Sequence, residues 1–467
     1  MSNENVLLIH PPFNWGEIDR FCQPLGILIL ASALKNEGID VTALDIAAEG
    51  WSQKKLAKFI AQNNFTHVGI TTLSPFREIS YAIFRMVKTI DPNIITIVGG
   101  PHPTLQKKNI LSECEAIDYA VSGEAELEIV NIIKNPDKKF YDLGCVENLD
   151  LVPIPDRSHV RHIGYNELSG IYMGDSATMK WVRGCPWRKC RFCARTELSI
   201  NYRQKSPEKI IEEIAIIQNE LKYENIIIID DSLKIDSKYI KNILRMKIKE
   251  GLDIPFWALA RADHIDDEGA RLMRRAGLSG IQIGLESVVP RFVDMYRKTS
   301  FPAPKWRNKL DEALKLADKY NFIVIASFII GAPTETPGEI WHNIHYCKNS
   351  KLDIAQAFPF QYLRGSEMWT EAVEKGHLSS DQFYTYNDKK FGTTSYTTQE
   401  LLDLAVEAEQ QINSPLLNPG RYVRIVRKFI KQKNWAVFKD NITRLPTILK
   451  KLLLEHPYEV IPDDIHG

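Results

Sequence analysis

The chain has 467 residues, and its 59 Lys and Arg balance its 59 Asp and Glu, so 59 − 59 leaves no net charge. At roughly 100–200 residues per domain this length suggests two to four domains, and 44% hydrophobic with 25% charged residues is a globular balance that excludes a disordered chain or a fibre. Zero net charge gives no global pull toward nucleic acid or anionic lipid, the N-terminal stretch lacks the basic region and apolar run of a signal peptide, and no stretch reaches the ~18 apolar residues of a spanning helix.

Apolar β-branched runs alternate with helical patterns from the start. Strands are predicted at Val6–Ile9, Val41–Asp45, His67–Thr71, Ile94–Val98 and Asp118–Val121, with helices at Leu25–Glu37, Leu56–Asn63 and Ile79–Ile90. Near-continuous apolar strands separated by helices imply a parallel sheet covered on both faces. Ligands of such folds lie beyond the carboxyl ends of the strands. Residues 141–175 break the rhythm, and Val152-Pro153-Ile154-Pro155-Asp156 cannot be regular helix, so this segment reads as a linker. A second alternating series follows. Its strands are Thr178–Arg183, Ile226–Ile229, Phe256–Ala260, Gly280–Leu285, Ile323–Ile329 and Ala355–Phe358, and its helices are Pro207–Leu221, Ser237–Glu250, Asp266–Ala276, Pro304–Tyr320 and Pro337–Asn349. Six strands linked by five helices predict a partial or complete parallel barrel or another open sheet. From about residue 395 the pattern is helical only. The predicted divisions are 1–140, a linker at 141–175, 176–375 and 376–467.

The strongest chemical signal is Arg183-Gly184-Cys185-Pro186-Trp187-Arg188-Lys189-Cys190-Arg191-Phe192-Cys193. Three thiols fall within nine residues, directly after a strand, where a loop can turn all three sulfurs toward one metal centre. Iron–sulfur clusters are held by Cys thiolates, commonly four, and three leave one iron open to a small molecule. The residues alone also leave open a zinc site completed by His159 or His162. Cys22, Cys114, Cys145 and Cys347 are isolated, and free Cys is usually a small buried hydrophobe. Seven cysteines in so long a chain are no disulfide framework, which points to the cytoplasm.

With these residues in view, the chain resembles the radical S-adenosylmethionine (radical SAM) superfamily, and within it the cobalamin-binding branch of class B methylases and the anaerobic ring-forming enzyme of bacteriochlorophyll synthesis. The family loop is C-x3-C-x2-C, whereas here Cys185-x4-Cys190-x2-Cys193 carries one extra residue in the first gap. The resemblance therefore implies a bulged loop with Cys185, Cys190 and Cys193 as the ligands of a 4Fe–4S cluster. It also implies a partial (β/α)6 barrel. Asp230-Asp231 resembles the family's D-D-x-F position, with Leu233 in place of the aromatic. Arg261 follows the third strand, Glu286 closes the fourth, and Gly331 opens a segment resembling G-x-P-G-E-T, in which Thr334 replaces the second Gly. The resemblance makes Asp230, Asp231, Arg261, Glu286 and Gly331 the expected SAM contacts.

The first domain resembles the Rossmann-like cobalamin-binding module, at Pro12 after strand one, Thr72 and Ser74 after strand three, Gly99, Gly100 and His102 after strand four, and Gly123 and Glu124 after strand five. These are the expected cobalamin contacts. The wider module's Asp-x-His-x-x-G after strand one is missing, and His10 stands before Pro11-Pro12 without that context. No imidazole is therefore expected to reach cobalt from below, and His102 is expected at a turn near the corrin edge. The implied enzyme uses a 4Fe–4S cluster, S-adenosyl-L-methionine and cobalamin. A 5′-deoxyadenosyl radical takes hydrogen from an unactivated carbon, and methylcobalamin supplies a methyl group. A non-methylating enzyme such as a cyclase, and a non-catalytic cobalamin sensor, are the alternatives. An electron donor such as flavodoxin or ferredoxin is implied, a small-molecule or peptide substrate is expected, and no nucleic acid is. Residues 421–451 hold ten Lys and Arg and one acid, Asp440, with Tyr422, Ile425, Val426, Phe429 and Ile430 at helical spacing. Such a basic amphipathic face can lie on an anionic membrane, although packing on the barrel rim is the main expectation.

Overall fold

A strand that buries both faces needs apolar side chains at successive positions, and β1 (Asn5–His10) supplies them. In the computed structural model, which describes residues 4–168, 171–198, 201–414 and 416–432, Leu7 and Ile9 join one core cluster while Val6 and Leu8 join another. Helices α1 (Leu25–Asn36), α2 (Gln53–Gln62) and α3 (Arg77–Ile90) alternate with β2 (Asp40–Asp45), β3 (His67–Thr71) and β4 (Ile95–Gly99). A short helix α4 (Pro101–Gln106), strand β5 (Tyr119–Ser122), helix α5 (Ile129–Lys134) and strand β6 (Phe140–Asp142) complete the sheet. Its order is β2-β1-β3-β4-β5-β6, and every pairing is parallel. α1 and α5 lie over the Val6 and Leu8 side, and α2 and α3 over the Leu7 and Ile9 side. The strand order reverses between β1 and β3, which makes their carboxyl ends the crevice where such folds bind ligands.

The second sheet is built from β7 (Ser176–Met179), β8 (Asn225–Leu233), β9 (Phe256–Ala260), β10 (Leu278–Glu286), β11 (Ile323–Ile330) and β12 (Ile354–Pro359), in that order across the sheet. The pairings from β8 to β12 are parallel. The connecting helices are α6 (Pro207–Ala215), α7 (Lys238–Lys249), α8 (Asp267–Arg275), α9 (Pro304–Tyr320) and α10 (Pro337–Asn349). Parallel crossovers are right-handed, so strands laid down in sequence order put every helix on one face and leave the other as a concave interior. The burial pattern shows it: Ile229 and Asp231, Leu259, Gln282, Gly284 and Glu286, Ser327 and Ile329, and Gln356 are the half-buried positions of strands whose other residues are almost all buried. Helices α11 (Thr398–Asn413) and α12 (Pro419–Gln432) follow.

By internal contacts the chain forms two compact units. The first is Met1–Glu167 with Asp175–Thr178 and Arg203–Ser206, and the second is Leu168–Gly174, Met179–Tyr202 and the chain from Pro207. Much of the segment expected as a linker thus belongs to the first unit. The predicted run Thr178–Arg183 divides into β7 and a two-residue strand, Val182–Arg183. On α12 four of the cations are bound within the unit. Arg421 donates to the Cys347 carbonyl at 2.7 Å, Arg424 and Lys428 pair with Asp353 at 3.0 and 2.6 Å, and Arg427 pairs with Asp318. The helix half of the basic segment therefore packs on its own unit, and 433–451 lies outside the described residues.

Candidate active site

The cysteine loop begins where Val182–Arg183 ends. Gly184 has φ +88°, and a Cβ there would overlap the Asn201 carbonyl, so only glycine lets the loop double back on residues 201–202. The extra residue of the first gap is absorbed by Arg188, which takes a left-handed φ of 50°. The turn before it is anchored by Trp187, whose indole N–H donates to the Arg297 carbonyl at 2.7 Å. The second gap is anchored by Arg191, which donates to Glu367 at 2.8 Å and also pairs with Glu371. Phe192 packs edge-on against Tyr296 at 5.1 Å.

Burial pushes the Cys190 thiol up and the Cys193 thiol up to about 12, and neighbouring thiols push the same way: Cys185 acts on Cys190, and Cys190 and Cys185 act on Cys193. Opposing this, Lys298 and Arg261 lower Cys190. Both cations are almost fully buried. Lys298 pairs with Glu286 at 2.9 Å, and Arg261 grips Asp263 at 2.9 Å and the Lys298 carbonyl at 2.6 Å. Three mutually interacting thiols beside two buried cations fit an anionic thiolate cluster. Among the described residues no three His, Cys, Asp or Glu groups close around a single ion, and a cluster takes each thiolate on a different iron. His159 and His162 are engaged elsewhere: the Ala43 amide donates to His159 Nδ1 at 3.4 Å, and His162 Nε2 meets Glu49 at 3.3 Å. His162 thus meets a carboxylate through Nε2, whereas the buried Nε2 of His159 has no hydrogen-bond partner among the described residues.

The expected SAM residues all stand at carboxyl ends of barrel strands, where parallel barrels carry function, but they divide in role. Asp231 lies on the concave face, pairs with Arg195 at 3.1 Å and has a buried Oδ2 without a partner. Asp230 points the other way and is fully buried. Its Oδ1 accepts from the Trp181 and Val182 amides at 2.9 and 3.2 Å, so it holds the chain that leads into the cysteine loop. Burial pushes its carboxyl up to about 7. Burial likewise lowers the Lys180 ammonium beside these two carboxylates. Glu286 ends β10 at φ 59°, a conformation that costs energy outside glycine. Gly331 is occupied by the fold. Its Cα faces the Leu401 side chain, and its carbonyl accepts from Asn387 at 2.8 Å. Thr334, in place of the family's glycine, adopts φ 65°, held by Arg291 donating to its carbonyl at 2.8 Å. Sequence reasoning missed Lys298, Lys180 and a polar row across the interior, in which Gln282 donates to Ser327 at 3.0 Å and to Gln356 at 3.3 Å. Strand alternation was the signal for that row.

In the first unit the expected contacts cluster at the carboxyl ends of β3, β4 and β5. Gly99 is the informative one. A Cβ there would meet nothing within 4 Å, so internal packing does not require glycine at a position where it weakens the strand. Thr72 beside it is fully buried with an unpartnered hydroxyl. By contrast Gly100 and Gly123 serve the fold: a Cβ on the first would press on Thr71 and Thr72, and on the second would overlap the Gly144 carbonyl. Glu124 forms an ion pair with Arg203 at 2.7 Å, and Pro12 is buried. His102 is fully buried, not at an open edge. Its Nδ1 meets Ser74 at 3.0 Å, and its Nε2 meets Tyr81 at 3.0 Å and Glu113 at 3.3 Å. Both ring nitrogens and Ser74 are thus committed to a structural network.

Comparison with known proteins agrees with both halves. The B12 binding domain family matches residues 14–133, and the Radical SAM superfamily matches residues 179–347. An uncharacterized methyltransferase of Pyrococcus horikoshii is 29% identical over 87% of this chain and 92% of its own. The anaerobic magnesium-protoporphyrin IX monomethyl ester cyclase of Rubrivivax gelatinosus is 24% identical over 85% of this chain and 75% of its own. Among solved structures, the radical S-adenosylmethionine methyltransferase TsrM from Kitasatospora setae superposes with a TM-score of 0.63 at 16% identity, covering 80% of this chain and 78% of that one. The cobalamin-dependent enzyme OxsB gives 0.64 at 16% identity over 98% and 76%.

Proposed function

Because the chain belongs to the cobalamin-dependent radical SAM superfamily, we propose that it methylates an unactivated carbon of a small-molecule or peptide substrate. When bound, the 4Fe–4S cluster and SAM supply a hydrogen-abstracting radical and the corrinoid supplies a methyl carrier. In this reading Cys185, Cys190 and Cys193 hold the cluster. Lys298 and Arg261 offset its charge, and Asp230 fixes the approach of the loop that carries it. Asp231 and Glu286 hold SAM on the concave face, and Gly99 lets the backbone approach the corrinoid. The polar row Gln282–Ser327–Gln356 orients the substrate.

The observation that carries the reading is the presence of both modules in one chain, together with similarity to a methyltransferase along nearly its whole length. The cyclase relatives support a second reading, ring formation without methyl transfer. The test is to incubate anaerobically reconstituted protein with methyl-labelled SAM and cell extract, and to follow products by mass spectrometry. A methylase consumes SAM twice, so a labelled product should form with S-adenosylhomocysteine and 5′-deoxyadenosine in about equal amounts. Deoxyadenosine without labelled product would favour the cyclase. The same reading requires a one-electron donor such as a flavodoxin or ferredoxin and no nucleic acid. We place the enzyme in the cytoplasm, a reading supported by seven free cysteines. No helix among the described residues is long and apolar enough to cross a membrane. A peripheral lipid contact through 421–451 would rest on the outward Val423, Val426 and Ile430 of α12, since Arg421, Arg424, Arg427 and Lys428 are bound to groups of its own unit.

A further inference from the structure

The expectation that no imidazole serves the corrinoid rested on a missing sequence motif. The fold nevertheless places an imidazole at the carboxyl end of β1. His10 is the last residue of β1, and β1 and β3 flank the reversal of strand order. Its Nδ1 lies 3.2 Å from Asp45 Oδ1, and Asp45, the last residue of β2, is only 2% exposed. The register places the two residues directly opposite each other. Asp45 is itself fixed. The Ala48 amide donates to its Oδ1 at 3.1 Å, and the buried Tyr165 hydroxyl donates to its Oδ2 at 2.7 Å.

Every other contact of that carboxylate uses it as an acceptor, so His10 Nδ1 is the proton-bearing nitrogen and Nε2 carries the free lone pair. The His10 side chain is 27% exposed, and no described hydrogen bond uses Nε2. Exposed Phe13 packs edge-on against Phe76 at 4.3 Å, and Phe76 also faces the imidazole at 6.4 Å, so the ring stands beside an apolar rim. A histidine whose one nitrogen is tied to a carboxylate while the other is free is the usual arrangement of a metal-ligating imidazole. His102, with both nitrogens committed, lacks it.

Resting on the cobalamin reading above, we propose that His10, oriented by Asp45 and Tyr165, supplies an axial nitrogen ligand to the corrinoid cobalt through Nε2. Asp45 and Tyr165 are positioning residues. The test uses the full-length chain loaded anaerobically with cobalamin, freed of unbound corrinoid and reduced to cobalt(II). Absorbance first reports whether corrinoid is retained. Failure there overturns the cobalamin reading itself, and this proposal with it. Paramagnetic resonance is then compared for ordinary protein and protein labelled with 15N-histidine. The expected result is a nitrogen triplet on the cobalt lines that becomes a doublet on labelling and vanishes in His10→Ala, while corrinoid is still retained. Asp45→Asn should keep the corrinoid but weaken nitrogen ligation by about 10–100-fold, the usual effect of losing an orienting carboxylate. A triplet unmoved by labelling would assign the ligand to the cofactor's own base. Loss of splitting altogether, or a labelled signal that survives His10→Ala, would equally overturn the proposal.

Discussion

Both sheets are six-stranded, the first parallel throughout and the second parallel from β8 to β12, but they bring side chains to a site in different ways. The first is covered on both faces, so its strand interiors are apolar and only strand ends and the loops after them can serve a ligand. The second has all its helices on one side, so alternate residues along whole strands face the interior. The consequence shows in the polar groups. In the first unit a conspicuous histidine, His102, is absorbed into a buried network, and the available imidazole is His10 at a strand end. In the second, carboxylates, amides and hydroxyls line the concave face directly. A polar residue in a doubly covered sheet is more often structural, and in a singly covered one more often functional.

Three substitutions sharpen that contrast. The largest stability effect is expected for Lys298→Met. It leaves the half-buried Glu286 without its partner, and breaking such a pair costs somewhat less than the about 3–5 kcal/mol of a fully buried one. A denaturant titration should show the loss, and iron retention should fall because a cation beside Cys190 is gone. A variant of ordinary stability and full iron content would place Lys298 outside the site. His102→Ala comes next. It strips partners from Ser74, Tyr81 and Glu113, at about 1–3 kcal/mol for an unsatisfied buried group. The melting point should drop while corrinoid binding survives, and lost corrinoid with unchanged stability would reverse the assignment.

Asp230→Asn is expected to be the mildest near pH 4. Asn retains an acceptor oxygen for the Trp181 and Val182 amides. The native carboxyl is raised to about 7, against about 3.9 when unfolded. Between those values the native state holds a proton that the unfolded chain has released, so wild-type stability falls as pH rises through the window. The variant lacks this titration. Its stability should match wild type near pH 4 and show a flatter profile up to pH 7. Parallel profiles would remove Asp230 from the account.

Much of this was legible in the chain. His67–Thr71, Phe256–Ala260, Pro304–Tyr320 and Pro337–Asn349 are bounded as expected, because strong apolar periodicity coincided with Pro and Gly punctuation. The cysteine loop was legible as three thiols after a strand, and its extra residue needed only the left-handed turn at Arg188. Less visible were features that depend on partners distant in sequence. His10 gains its orientation from Asp45, 35 residues on. Lys298 meets Glu286 through a turn that carries no motif. The three-residue strand β6 and the antiparallel pair of Gln361–Leu363 with Tyr384–Tyr386 are too short to show a period.

The most direct measurement is the metal content of the anaerobically reconstituted full-length protein, wild type beside Cys190→Ala, after unbound iron and cobalamin are removed. Wild type should carry about four irons and about one cobalt per chain, and Cys190→Ala should lose the iron and its visible absorbance while keeping the cobalt. Zinc in place of iron, iron unaffected by Cys190→Ala, or a wild-type chain that keeps no cobalt would contradict the two-cofactor account.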